Sequence, residues 1–216
     1  MTEFLDDADL EQTAVVANSE MNRERRIDAY RRELGLDPVA WLTARQAPQR
    51  WLDVGCGSGR ALFDAAASVS VHVEIIGLDL VGYFAGPARP GVDLITGSVL
   101  TWQPEAPVDL VTAVHVLHYV GDKIAALTRM ASWLTTDGQL VANFDASSIR
   151  WADGSLIGRS FTTSLRRNGF RYDARNHRLT RTGHGLPCWE LRYLGADAHA
   201  GPNYTGQDCV NSHYQR

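Results

Sequence analysis

The first 45 residues carry apolar positions at helical spacing. Leu10, Ala14, Ala17 and Met21 recur every three or four residues, and Ile27, Tyr30 and Leu34 continue the stripe after a slip in phase near Asn18-Ser19. The slip predicts a break or two successive helices. Gly35 is placed as a C-terminal stop, and Asp37-Pro38 as the cap and first position of a short helix through Trp41-Leu42. Residues 1–46 are expected to form a helical lobe and lid, and 47–216 the main body of a single globular unit.

After Pro48 the pattern changes to short apolar runs alternating with helical segments. Strands are expected over Arg50 to Val54, Val71 to Leu80, Val92 to Gly97, Val108 to Val116 and Gln139 to Asp145, the last entered through a turn at Asp137-Gly138. Helices are expected over Arg60 to Ser68, Asp122 to Leu134 and Ser155 to Arg167, the last stopped by Asn168-Gly169. Two or three more strands fit between Phe170 and Leu194, and the Gly/Asn/Tyr-rich stretch from Gly195 onward reads as an ordered loop or flap. Such alternation predicts an α/β fold with a doubly wound, parallel sheet. One gap stands out. Only Val81 to Gly91 separates the second and third strands, with Pro87 and Pro90 inside it, so the connecting helix is expected to be very short or missing.

Composition narrows the class. The chain has 216 residues with 44% hydrophobic and 21% charged positions, the balance of a folded soluble protein. Its net charge of −4 argues against holding nucleic acid by bulk electrostatics. The N-terminus is acidic where a signal peptide is basic, and no apolar run approaches the roughly 20 residues that span a bilayer. The three cysteines, Cys56, Cys188 and Cys209, are odd in number and far apart, which suits a reducing cytoplasm. Lys123 is the single lysine among 21 basic residues, a bias that GC-rich coding produces and that points to a bacterial source.

The chemistry is concentrated in Trp51-Leu-Asp53-Val-Gly55-Cys-Gly57-Ser-Gly59-Arg60, a turn between the first strand and first helix, where α/β folds bind ligands. Glycine at 55 and 57 lets the backbone approach a ligand closely. A dinucleotide fingerprint needs a third glycine at position 60, which is arginine, and a P-loop needs a lysine that the turn lacks. The acid at 53 would repel a pyrophosphate but suits a ligand with a positive amino group. Asp79, 20 residues beyond Gly59, ends the next strand and can accept from two ribose hydroxyls.

This pattern resembles the class I S-adenosylmethionine-dependent methyltransferases over about residues 48 to 195. The resemblance implies a Rossmann-like, seven-stranded, mostly parallel sheet, with S-adenosylmethionine as cofactor and S-adenosylhomocysteine as product. Asp53, Gly55, Cys56, Gly57 and Gly59 match the family's glycine-rich motif, Asp79 its ribose-binding acid and Leu80 the apolar residue beside adenine. Ser98, followed by Val99, stands where the family usually has an acid near the adenine amino group. The stretch from Val108 through His115 to Tyr119 matches the fourth-strand motif, and His115 falls where family residues contact the adenosine.

Candidate catalytic groups lie just after the fourth strand. His118 is the candidate general base, with a structural or surface role as its alternative, and His115 beside it also suits a non-titrating place on the pocket wall. The HxxH spacing sits at a strand end without a third ligand, so no metal is expected. Asp145 suits either a substrate amine or the capping of its own loop. Tyr30 and Arg31 are candidates to reach the methionyl carboxylate, among arginines (23, 25, 26, 31 and 32) that alternate with Glu20, Glu24 and Glu33 as solvated pairs. Asn203-Tyr204 and Tyr214 are candidates to close the acceptor site. The chain lacks the family's motifs for DNA amino groups, cytosine C5, metal-assisted catechols and protein arginine. A small-molecule acceptor remains, in natural-product or other biosynthesis, with no nucleic acid or membrane partner and a monomer or homodimer as the assembly. A cyclase-type reaction on the same fold and a non-enzymatic cofactor-binding module are the alternatives.

Overall fold

The computed structural model describes residues 4–17, 25–45, 48–69, 72–87 and 89–216. Three short helices open the chain: α1 (Asp7–Leu10), α2 (Ile27–Leu34) and α3 (Pro38–Thr43). Each shows the local chemistry that starts or stops a helix. Asp6 accepts the Asp9 N–H at 2.9 Å, Asp37 accepts the Ala40 N–H at 3.1 Å ahead of Pro38, and Gly35 ends α2 in the left-handed region. The helix expected beyond Leu10 does not form. Residues 11–17 are turns, in which Thr13 bonds back to the Leu10 carbonyl through its hydroxyl and Val15-Val16 add two β-branched residues. The phase slip at Asn18-Ser19 and the expected helical position of Met21 lie outside the described residues.

The strands β1 (Gln49–Val54), β2 (Val73–Asp79), β3 (Val92–Thr96), β4 (Val108–Ala113) and β5 (Leu134–Asn143) are parallel to one another. With β7 (Phe170–Asp173) and β8 (Arg178–Thr182) they make a seven-stranded sheet in the order β3-β2-β1-β4-β5-β8-β7, in which β8 alone runs antiparallel. Helices α4 (Arg60–Ala66), α5 (Lys123–Ser132) and α6 (Arg159–Arg167) lie along the chain between these strands. The strand β5 begins five residues earlier than expected. Leu134 already pairs with Val108, and a shift in register before Leu110 absorbs the Asp137-Gly138 turn. Between β2 and β3 the described residues form no helix, and Gly82, Gly86 and Gly91 all take positive φ there.

The C-terminal stretch corrects the expected flap. The strands β6 (Ile149–Trp151), β9 (Arg192–Asp197) and β10 (Asn211–Gln215) form a second sheet in the order β6-β10-β9. Asn211-Ser-His-Tyr-Gln has no apolar alternation, so its burial was hidden in the sequence. Ser212 is nonetheless fully buried, donating to the Gly121 carbonyl at 2.5 Å and accepting from Lys123 at 2.9 Å. The Lys123 ammonium also donates to the carbonyls of Val120 and Val210, and burial pulls its pKa down to about 7.

Two large cores flank the seven-stranded sheet. Tyr30, Leu34 and Leu42 of the N-terminal helices pack with Trp51, Leu62 and Ile75 on one side, and Leu52, Leu127, Phe144 and Phe161 pack on the other. Among the described residues no helix is long and apolar enough to cross a membrane.

Candidate functional site

The loop from Val54 to Arg60 leaves β1 through three glycines with positive φ: Gly55 at 70°, Gly57 at 58° and Gly59 at 75°. At Gly55 the need is double, since a Cβ there would also come within 2.4 Å of the Val116 side chain. Asp79, at the end of β2, fixes the turn from across the strand junction. Its carboxylate accepts the Gly57 N–H at 2.8 Å and the Val81 N–H at 3.1 Å, while burial raises its pKa. A pocket opens between these groups. Gly55, Gly57, Asp79, Leu80, Ser98 and Val99, among the residues expected to bind a cofactor, all line it, together with Val114 and Val116 at the end of β4.

Asp53 takes a different place from the ligand-facing one expected of it. It is fully buried behind the turn, and both oxygens are engaged: Tyr30 donates to one and Thr112 to the other, each at 2.5 Å. Thr112 in turn accepts the Trp51 indole N–H at 2.8 Å. Burial raises the Asp53 pKa to about 7 despite these bonds. The role of Tyr30 is therefore to hold Asp53. Cys56 is likewise buried under the turn, its thiol pKa pushed up by burial, and Gly59 serves as the N-cap of α4. Neither lines the pocket.

Arg31 points to the surface, where it pairs with Asp28 at 3.0 Å and Asp37 at 2.9 Å. The inward-facing arginine is Arg25. Its Nη1 donates to the Val114 carbonyl at 2.6 Å, on the pocket wall, and its buried Nη2 has no hydrogen-bond partner. Its charge also acts on Asp53, Asp79 and His115. Periodicity grouped Arg25 with the solvated pairs, and nothing local in the sequence separates it from them. Arg26 does form such a pair, with Asp64, but Arg23, Glu20 and Glu24 lie outside the described residues.

Sequence reasoning also missed Glu11, Val16 and Tyr83 on the pocket wall. Glu11 comes from the turns after α1 and accepts the Ser98 hydroxyl at 2.5 Å.

The two histidines after β4 are not among the residues that line this pocket. His115 has φ 59°, a left-handed conformation uncommon outside glycine, and its Nε2 lies 3.3 Å from Glu33. The His118 ring stacks beside it at 5.7 Å, with Tyr204 5.2 Å from His118 and stacked on His177 at 3.8 Å. Burial lowers the pKa of both histidines, that of His118 to about 3. His115 Nδ1, His118 Nε2 and His177 Nδ1 are buried and without hydrogen-bond partners. Three imidazoles with unpartnered nitrogens thus gather beside the pocket, at the carboxyl end of β4. Tyr204, expected to close the acceptor site, packs against them. Tyr214 does not: it is buried in the core, donating to Asp122 at 3.1 Å. Asp145 caps its own loop, accepting from Ser147 N–H and hydroxyl. Among the described residues no three His, Cys, Asp or Glu side chains group as a metal site.

Comparison with known proteins gives a family match. The profile of a family described as a methyltransferase domain matches residues 21–191. A trans-aconitate 2-methyltransferase of Methylobacterium nodulans (strain LMG 21967 / CNCM I-2342 / ORS 2060) is 34% identical over 109 residues, covering 48% of this chain and 42% of that protein. The chain thus spans less than half of that relative's length. Among solved structures, the CurJ carbon methyltransferase has a TM-score of 0.55 at 12% identity, over 82% of this chain and 61% of its own. An amino pentose methyltransferase from Micromonospora echinaspora, involved in calicheamicin biosynthesis and solved with S-adenosylmethionine bound, is 27% identical over 54% of each chain, with a TM-score of 0.39.

Proposed function

The chain belongs to the S-adenosylmethionine-dependent methyltransferases, and from that premise we propose that it methylates a protic small-molecule acceptor held at the carboxyl end of β4. The observation that carries the reading is a three-glycine turn bound by the Asp79 carboxylate, with Gly55, Gly57 and Asp79 lining one pocket. A small-molecule acceptor also suits the relative named for trans-aconitate.

The residues fit the donor. Asp79 would accept the ribose hydroxyls, and Leu80 and Val99 would flank the base. The Nη2 of Arg25 is a buried cationic donor with no acceptor among the described residues, which suits the methionyl carboxylate. Asp53 keeps the turn in shape from behind by fixing Tyr30 and Thr112 against β1 and β4. Bound there, S-adenosylmethionine supplies an electrophilic methyl group on a positively charged sulfur. What remains for the protein is to align the acceptor and exclude water.

The histidine cluster at the end of β4 would supply that alignment. His118 is neutral across the physiological range because burial holds its pKa near 3, so one ring nitrogen is free to accept a hydrogen bond. A hydroxyl or amine donating to that nitrogen is oriented for attack on the methyl group. His115 and His177 offer further unpartnered nitrogens, and Tyr204 covers them.

The test is calorimetric titration with S-adenosylhomocysteine, with NAD⁺ as control. Binding of the first alone is expected, and Asp79→Ala should weaken it by roughly 1–3 kcal/mol through lost charge-assisted hydrogen bonds. Equal affinity in a folded variant would place the ribose elsewhere. Preference for NAD⁺ would overturn the reading. With the donor established, a mass-spectrometric screen for a mass gain of one methyl group identifies the acceptor.

A further inference from the structure

The donor pocket has two chemically different sides. The strand order β3-β2-β1-β4 places the Gly55–Gly59 turn and the β4 end on one side of Asp79 and the β3 end on the other. A nucleoside whose ribose is held by Asp79, with its sulfur directed toward β4, must therefore carry its base toward β3. Ser98 follows that strand. Its hydroxyl has one proton, which goes to Glu11 at 2.5 Å, while its oxygen accepts the Leu100 N–H at 3.1 Å. The serine is thus occupied, and the group left to meet the base is the Glu11 carboxylate, which only accepts. The Glu11 carboxylate makes no other hydrogen bond to a described residue.

Glu11 is also held in place. Residues 4–17 form a strap fixed to the C-terminal sheet: Leu5 and Ala196 exchange backbone hydrogen bonds, and Leu10 is fully buried with Ala196, Ala198 and Val210. Asp7 accepts the Asp122 N–H and the Tyr193 hydroxyl, each at 3.0 Å. A carboxylate at a pocket wall on so anchored a segment is positioned to read a ligand.

We propose that Glu11 is the specificity residue for the base, selecting a purine with a 6-amino group over one with a 6-oxo group. The inference rests on the donor reading above. A 6-amino group donates to the carboxylate, whereas a 6-oxo oxygen places acceptor against acceptor in a partly desolvated pocket. The strap thereby supplies from the N-terminus an acid that β3 itself lacks.

The experiment is titration of the full chain with S-adenosylhomocysteine and with S-inosylhomocysteine, its 6-oxo analogue. The unsubstituted protein should prefer the first by about tenfold or more. In Glu11→Gln the side-chain amide can donate to the 6-oxo oxygen, and the ratio should fall to near one. Glu11→Ala should weaken S-adenosylhomocysteine, and adding Ser98→Asp to it should restore both affinity and preference, which a merely structural glutamate would not allow. An unchanged ratio in Glu11→Gln overturns the role of Glu11 while leaving the donor reading in place. Failure of the unsubstituted protein to bind either nucleoside overturns both.

Discussion

At the scale of single residues, the acid before the glycines shows how burial redirects a side chain. Asp53 has no solvent to stabilise its charge, and the hydroxyls of Tyr30 and Thr112 compensate only in part, so its pKa rises to about 7. Folded Asp53 therefore keeps a proton between about pH 4 and 7 that the unfolded chain has already released. Its contribution to stability is fully present below the unfolded pKa and is lost as pH rises through the folded one. Asp53→Asn is neutral throughout and should remove this loss. Urea melts from pH 5 to 7 should show the variant gaining about 1 to 3 kcal/mol relative to the parent. A constant difference would mean that Asp53 ionises like an exposed acid.

At the scale of elements, the strap shows why helical spacing alone can mislead. Leu10, Ala14 and Ala17 share a stripe, yet only Leu10 of the three is buried, and the chain after it turns to bring Glu11 and Val16 onto the donor pocket. The anchor is local, a small cluster apart from the two large cores. Leu10→Ala should cost about 2–4 kcal/mol in that cluster. Hydrogen exchange should show the Leu5 and Ala196 amides losing protection while β1 and β4 keep theirs. Equal loss throughout would show that the strap unfolds only with the whole molecule.

At the scale of the molecule, the histidine cluster beside β4 is assembled from segments remote in sequence. His118 follows β4, His177 sits in the β7–β8 turn, Glu33 belongs to α2 and Tyr204 comes from the stretch before β10. The hydrogen bond from the Val210 N–H to the His118 carbonyl ties the C-terminal segment across the β4 end. If His118 orients the acceptor, His118→Ala should leave S-adenosylhomocysteine affinity unchanged and slow methyl transfer by about 10²-fold or more. The same assay should show no loss of rate near pH 6.5, because the imidazole of the parent is already neutral there. Full activity in the variant would exclude it as the base.

The sequence by itself determined what depends on local rules. Short apolar runs between helical stretches dictated the parallel strands, and three glycines that must take positive φ marked the turn. Prolines and glycines between β2 and β3 left room for a very short helix or none, and Asp79 announced itself by its distance from the turn. Tertiary structure alone decided what depends on which distant groups share a buried space. Arg25 looks like its neighbouring arginines until the Val114 carbonyl draws it inward, and Glu11 looks like a surface acid until Ser98 meets it. The strand β10 has no apolar pattern at all. Its burial depends on Lys123, Gly121 and Asp122 satisfying its polar side chains, and no window of sequence contains both the strand and those partners.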